Sequence, residues 1–149
     1  MVNVRDVAEW FLSHAPMTHK KVQKLCYYAQ AWYCALYDGS PLFQDEIQAW
    51  VHGPVIPSLY PLYADYKWME IPQAASCPDL PDNAVAVLEA VYNTYGKLSG
   101  DELERLTHSE EPWKAARGDF KPWIPCNIPI SCESMRRFYR DLYDKDQAD

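Results

Sequence analysis

The chain has 149 residues, 48% of them hydrophobic, and a formal net charge of −7. This length predicts a single domain over residues 1–149 that folds without a metal or a disulfide. The negative charge argues against direct binding to nucleic acid or to an anionic membrane surface, because both depend on clustered Lys and Arg side chains.

Two helices are predicted in the first part of the chain. The first begins at its N-cap Asn3 and ends near His14, where Ala15-Pro16-Met17 interrupts the pattern. The second begins after its N-cap Thr18 and ends near Tyr37. Its apolar residues recur at the i, i+3, i+4, i+7 spacing of a helix, which makes it the clearest helix in the sequence.

The middle of the chain gives weaker signals. Residues 43–50 are predicted to be extended or to form a short strand. A helix is predicted from Pro57 or Ser58 to about Tyr66. Residues 67–81 contain scattered prolines, so they are predicted to be irregular, with room for a small β-hairpin.

Three helices are predicted before the last proline-rich segment. One covers residues 82–95, and Gly96 is expected to end it in a left-handed conformation. Ser99 and Glu102 form a capping box for the next helix, and Ser109 is expected to start a third, short one.

The C-terminal part combines an extended link with a final helix. Residues 118–129 are rich in proline, a C-terminal helix is predicted over residues 131–143, and the charged tail after it is expected to fray. The fold class predicted for the whole chain is mainly α: a single compact helical domain of about six helices with a small β-hairpin.

A sharp bend is predicted at Trp50-Val51-His52-Gly53-Pro54. Gly53 permits backbone angles that other residues avoid, and Pro54 fixes its own φ and lacks an N–H donor. Trp50 and His52 are therefore held at one defined position. Such a bend is either a structural corner or a surface that recognises a partner.

Three further side chains have two interpretations each. Lys20 and Lys24 lie one helical turn apart and are expected on a solvated face, but they could also meet an acidic partner. Trp113 is expected as a wedge between helices; if half-exposed, it would instead be a strong binding residue.

The five cysteines give no sign of a zinc site or a redox pair. No two of them have C-x-x-C spacing, and the first two are predicted on a buried helix face. Reduced thiols, together with the lack of a signal peptide or a long apolar run, predict a cytoplasmic protein. The cysteines are Cys26, Cys34, Cys77, Cys126 and Cys132.

No catalytic motif is found in the sequence, which lacks metalloprotease, P-loop, nucleophile-elbow and Gly-rich nucleotide patterns. No catalytic residue, cofactor or metal ligand is therefore predicted. His52 and His108 leave one enzymatic alternative open: an uncharacterised hydrolase in which both histidines share a polar pocket as acid and base.

Four segments of the chain resemble the Panacea-domain family of prophage-associated, GepA-like proteins. They are residues 17–32, 46–55, 95–103 and 106–116, and they follow the family order. The most specific patterns are A-W-x-H-G-P-V at residues 49–55 and T-H-x-E-x-P-W at residues 107–113.

This resemblance implies an antitoxin of a bacterial or phage toxin–antitoxin system, which binds and neutralises a cognate toxin protein. An alternative is an adaptor that delivers the bound toxin to a cytosolic protease. Some family members carry an added DNA-binding domain, which this chain is too short to contain. The family has no settled catalytic residues, so none are assigned.

The residues expected to form or support the interaction site come from these segments. They are Trp50, His52, Gly53, Pro54, His108, Trp113, Lys20, Lys24, Gln30 and Trp32.

Overall fold

Helices make up most of the computed structural model, which describes residues 1–148 of the chain. The prediction of a single, mainly α domain is confirmed. The helices in this range are α1 (Val4–Leu12), α2 (His19–Leu36), α3 (Tyr60–Tyr63), α4 (Asp82–Tyr95), α5 (Gly100–Ser109), α6 (Glu111–Arg117) and α7 (Cys132–Ala148). The strands are β1 (Met17–Thr18), β2 (Gln48–Trp50), β3 (Gly53–Val55) and β4 (Glu70–Ile71).

The long helix α2 lies at the centre of the fold. Its N-cap is Thr18, whose hydroxyl oxygen accepts a hydrogen bond from the Lys21 backbone N–H at 3.2 Å, as predicted. Helices α1, α4, α5 and α7 all pack against it. Because α2 is covered on several sides, its buried residues include the polar side chains Gln23, Lys24 and Gln30 as well as its apolar ones.

A β-hairpin forms at the predicted bend itself. In this antiparallel pair Gln48 lies opposite Val55 and Trp50 lies opposite Gly53, with Val51-His52 as the connection. Neither connecting residue has a positive φ; the positive φ falls on Gly53 directly after them, at 102°, a conformation that favours glycine.

The sequence left room for a small hairpin within residues 67–81. The structure describes this whole segment, and no hairpin forms in it. Its two-residue strand β4 pairs instead with β1, so that Ile71 lies opposite Met17. The scattered prolines leave no room there for two strands side by side, and Ile71 becomes buried by pairing with the chain that leads into α2.

Two of the predicted helices have different bounds in the structure. The helix predicted to run to about Tyr66 is present as α3 followed by a 3₁₀ turn over Ala64–Tyr66. Ser109 is the last residue of α5, and α6 starts after its N-cap Glu110, so the predicted start at Ser109 is wrong. By contrast, the Ser99–Glu102 capping box is confirmed, since both of its hydrogen bonds are present.

The ends of α4 and α7 also differ. Gly96 has φ −63°, a right-handed conformation, so the predicted left-handed residue after α4 is wrong. Helix α7 continues to Ala148 instead of ending near residue 143. Ion pairs one turn apart, such as Arg140–Asp144 at 3.3 Å, stabilise this extension.

The structure bears on the expectations about membrane-spanning helices and about the cysteines. No helix within residues 1–148 is both long enough and apolar enough to cross a bilayer. All five cysteines are free, and Cys26 and Cys34 are buried as predicted. Burial raises the pKa of the Cys26 thiol, which keeps it protonated.

Candidate interaction site

The hairpin approaches α2 so closely that only glycine fits at residue 53. A Cβ built on Gly53 would lie 2.7 Å from Cε of Lys24 and 2.9 Å from Oγ1 of Thr107. Gly53 and Pro54 are both buried. The predicted corner is therefore structural at these two positions, and its backbone conformation follows from the packing of helices α2 and α5 against it.

Two hydrogen bonds from helix α6 hold the backbone of the hairpin. Trp113 donates from Nε1 to the carbonyl oxygen of Trp50 at 2.8 Å, and Arg117 donates from Nη1 to the carbonyl oxygen of Ala49 at 2.9 Å. Trp113 is only 5% exposed. This burial contradicts the half-exposed interpretation of Trp113 and is consistent with a wedge.

His108 supports the same wedge. Its ring stacks on Trp113 with centroids 4.0 Å apart and an interplanar angle of 22°. Burial lowers the pKa of His108, and its Nε2 is buried with no hydrogen-bond partner in the described part of the chain. The imidazole is therefore neutral at pH 7 and acts as a packing surface beneath the hairpin turn.

His52 differs from His108 because its side chain is 71% exposed. Its Nδ1 lies 3.3 Å from Oε2 of Glu104, and Lys20 places Nζ 2.7 Å from Oε1 of the same carboxylate. Partial burial by itself would raise the pKa of Glu104, but the hydrogen bonds from Lys20 and His52 outweigh burial and lower it. Lys20 also contacts Asp101 at 2.9 Å, so it is an ion-paired residue and not a freely solvated one.

Lys24 lies in the interior, so the prediction of a solvated face is wrong for this residue. It is 1% exposed, and its Nζ donates to the carbonyl oxygen of Pro54 at 3.2 Å. Loss of hydration lowers the pKa of Lys24 to about 7, because burial penalises the charged form. The helical spacing of α2 did not signal this, since α2 is buried well beyond its one apolar stripe.

A groove opens beside the hairpin, with a volume of ≈ 630 Å³. One wall contains the half-buried Trp50 and the exposed Tyr60, whose ring centroids are 5.3 Å apart. The link after α6 supplies another wall. The lining residues are His19, Lys20, Gln23, Lys24, Trp50, Val51, His52, Val55, Tyr60, Lys67, Pro125, Cys126 and Asn127.

Two glutamines of α2 each fix a loop, Gln23 at the groove and Gln30 away from it. Gln23 accepts from the Ile56 backbone N–H at 2.8 Å and donates to the Ile56 carbonyl oxygen at 3.2 Å. Gln30 accepts from the Leu42 backbone N–H and donates to the Phe43 carbonyl oxygen, each at 2.7 Å. Gln30 is 5% exposed, so this candidate residue braces a loop and offers little surface to a partner.

Trp32 packs outside the groove. It is half-buried, and its Nε1 donates to the hydroxyl oxygen of Tyr95 at 2.9 Å. Its ring lies 5.3 Å from that of Tyr139 on α7. The structure thus separates Trp32 and Gln30 from the other candidates, which gather at the hairpin.

A buried carboxylate with two tyrosine donors is a feature that the sequence did not reveal. Glu110 accepts at Oε1 from the hydroxyls of Tyr28, at 2.7 Å, and Tyr139, at 2.8 Å. Burial raises the pKa of Glu110, although these two hydrogen bonds act in the opposite direction. The three residues come from α2, the α5–α6 junction and α7, so no local pattern could have shown that they meet.

Several large apolar side chains lie exposed near the chain segments that form the groove. Trp68 follows the lining residue Lys67 and is 83% exposed, while Trp123 lies two residues before Pro125 and is 68% exposed. Exposed aromatic residues next to a groove are typical of surfaces that bind another protein.

The two histidines of the enzymatic alternative do not share the groove. His52 lines it, whereas His108 packs behind the hairpin against Trp113. Among the residues that the structure describes, no cluster of three or more His, Cys, Asp or Glu side chains is placed to bind a metal.

Comparison with known proteins gives one family match. The model of the family described as "Antitoxin SocA-like, Panacea domain" matches residues 22–114, more than half of the chain. This span includes most of α2, the hairpin and α5, and ends in α6, so it contains most of the candidate site. Neither a curated protein nor a solved structure matches the chain significantly.

Proposed function

The chain belongs to the SocA-like antitoxin family with a Panacea domain, and from this premise we propose that it neutralises a partner toxin by direct protein–protein contact. The system would be a toxin–antitoxin pair of bacterial or phage origin, acting in the cytoplasm. The observation that carries this proposal is the family match over residues 22–114. In this function the protein binds its partner and makes or breaks no covalent bond.

The proposed contact surface is the groove together with the exposed aromatic residues beside it. Trp50 and His52 reach the groove from the hairpin, and Tyr60 lies beside Trp50 on the same wall. Trp68 and Trp123 extend the apolar area outside the groove. Large aromatic side chains combine apolar area with a polar group, which makes them strong contributors to protein binding.

The buried members of the candidate set have a supporting role in this proposal. Gly53 and Pro54 shape the hairpin, and the stacked pair His108–Trp113 holds it from behind. A substitution at these positions would change toxin binding through the shape of the hairpin. Substitution of Trp50 or His52 would remove a direct contact instead.

Co-expression with the product of the adjacent gene tests the proposal. We expect growth of the host to be restored by the wild-type chain, and the two proteins to purify as one complex. A host that still fails to grow, with no complex recovered, would exclude neutralisation of that product.

The same experiment in a host that lacks its cytosolic proteases separates direct neutralisation from delivery to a protease. Neutralisation by contact predicts equal rescue in both hosts and an unchanged amount of toxin. An adaptor predicts that the toxin accumulates, and that rescue is lost, when the protease is absent.

A further inference from the structure

The charge of the groove is opposite in sign to the charge of the whole chain. The chain carries a net charge of −7, yet the groove lining contains three lysines and no carboxylate. Burial lowers the pKa of the lining residue His19 to about 4, so His19 adds no positive charge at pH 7. Two carboxylates outside the lining, Glu104 and Asp101, pair with Lys20, so the unpaired positive charge of the groove comes from the other lysines. A cationic groove on an acidic protein attracts a negative group on a partner.

We propose that this groove binds an acidic segment of the partner, in which one Asp or Glu side chain is flanked by apolar residues. The proposal rests on the proposed function and names the chemistry of the segment that the antitoxin recognises. Lys24 at the base and Lys67 at the edge of the groove supply the positive charge.

Lys24 has unused capacity to bind a carboxylate. An ammonium group carries three donors, and one hydrogen bond of Lys24, to Pro54, is present among the described residues. No carboxylate of residues 1–148 lies within 4.0 Å of its Nζ. Burial lowers the pKa of Lys24 to about 7, and a carboxylate placed next to Nζ would favour the charged form and accept a charge-assisted hydrogen bond from it.

The apolar residues on either side of the acidic one in the proposed segment would pack against the walls of the groove. Trp50, Val55, Tyr60 and Pro125 line it, so apolar side chains next to the acidic one would be buried on both sides. Removing such side chains from water stabilises a complex in proportion to the area buried.

A bound segment cannot add as a third strand to the hairpin, because the backbone groups at the hairpin edges are already hydrogen-bonded. The outer edge of β2 is already paired, since Ala49 N–H donates to the Ile128 carbonyl oxygen at 2.9 Å and Ile130 N–H donates to the Ile47 carbonyl oxygen at 2.8 Å. On the other side, Gln23 satisfies both backbone groups of Ile56 directly after β3. A bound segment is therefore selected by its charge and its apolar groups.

The test is a selection of random short peptides displayed on phage against the full-length chain. We expect the enriched peptides to contain an Asp or Glu between aromatic or aliphatic residues. Replacing that acid by its amide in a synthetic peptide should weaken binding roughly tenfold or more, as expected for a charge-assisted hydrogen bond.

Two variants and one control locate the binding in the groove. Lys24→Met keeps the length and volume of the side chain, and the exposed Lys67→Glu reverses the charge at the edge; both should weaken the acidic peptides roughly tenfold or more. Lys97→Met is the control, because Lys97 is exposed and outside the groove. Each variant is checked for an unchanged fold by circular dichroism.

The proposal would be overturned by enriched peptides without an acidic residue, by no enrichment at all, or by acidic peptides that bind both groove variants as tightly as the wild type. Failure of the proposed function gives a different result. If the wild-type chain does not rescue the host, the neutralisation proposal fails, and the peptide selection still tests whether the groove binds acidic peptides. If both lysine variants rescue as well as the wild type, neutralisation stands and the acidic-segment proposal falls.

Discussion

Lys24 donates from its buried Nζ to the carbonyl oxygen of Pro54 at 3.2 Å, so a cation of the central helix holds the backbone of the hairpin. The same side chain fills the space that a Cβ on Gly53 would need. Helix α2 and the hairpin therefore fit together with the long, thin side chain of Lys24 on the helix and no side chain at Gly53 on the hairpin.

The first prediction concerns this fit. Gly53→Ala should lower the free energy of unfolding by about 3 kcal/mol or more, because it adds a steric clash to an unfavourable φ of 102°. Urea unfolding at pH 7 measures the change. Gly118→Ala is the control, since φ there is also positive, at 55°, and nothing lies within 4 Å of the added Cβ; conformational strain alone, about 1–3 kcal/mol, is expected. Equal losses would argue against the close contact.

The second prediction is that Lys24→Met stabilises the protein at pH 7 and below, on the order of 1–3 kcal/mol. Burial lowers the pKa of Lys24 from 10.5 to about 7, so the unfolded chain binds the proton more tightly. The stability of the wild type therefore falls as pH decreases from 10.5 to 7 and then levels off.

Thermal unfolding of both proteins at a series of pH values measures this effect. The difference between variant and wild type should shrink as pH rises from 7 towards 10.5. The charged neighbours Glu104, Lys20 and His19 are the same in both proteins, so their own titration largely cancels in the difference. A constant difference across this range would contradict a desolvated Lys24.

The third prediction concerns Glu110, whose pKa is raised above 4.5 by burial. The folded state then binds its proton more tightly than the unfolded chain, so this group contributes stability at low pH that is lost as pH rises through its folded pKa. Glu110→Gln removes this dependence while its amide oxygen still accepts from Tyr28 and Tyr139. The wild type should therefore lose stability relative to the variant as pH rises above 4.5.

A control of opposite sign is Glu133→Gln. The pKa of Glu133 is lowered, first by the hydrogen bond from Arg136, so its contribution to stability is present above pH 4.5 and lost as pH falls. Urea unfolding at a series of pH values gives the difference in unfolding free energy between each variant and the wild type. As pH rises, this difference should change in opposite directions for the two substitutions. A change in the same direction for both would refute the buried environment of Glu110.

The fourth prediction concerns the exposed aromatic surface. Trp68→Ser should weaken the complex with the toxin by about 2 kcal/mol, or roughly thirtyfold in Kd, without lowering the melting temperature, because Trp68 is 83% exposed. Titration calorimetry with the purified partner measures the affinity. Tyr37→Ser serves as the control, since Tyr37 is also exposed but lies at the C-terminal end of α2, outside the proposed contact surface. An affinity unchanged by Trp68→Ser would place the contact elsewhere.

Local chemistry allowed some elements to be predicted from sequence. Thr18 caps α2, and Ser99 and Glu102 form their capping box, because each motif depends on residues within one turn. Ser109 and Gly96 were misjudged because competing helix ends lie one or two residues apart, and packing selects among them.

The candidate site was predicted only in part. The residue types of the bend at Trp50-Val51-His52-Gly53-Pro54 were sufficient to place a turn there, and the family patterns directed attention to it. They did not show which side chains face the groove, since Trp113 is buried and His52 is exposed at positions with similar local signals.

The mainly α character of the chain, the position of the turn and the membership of the antitoxin family could all be inferred from the order of residues, because they depend on short-range spacing and on neighbouring residues. The burial of Lys24 under the hairpin and the contact of Glu110 with Tyr28 and Tyr139 became visible in the folded chain alone. Burial and charge environment depend on which distant elements pack together, and such packing has no signature in the local order of residues.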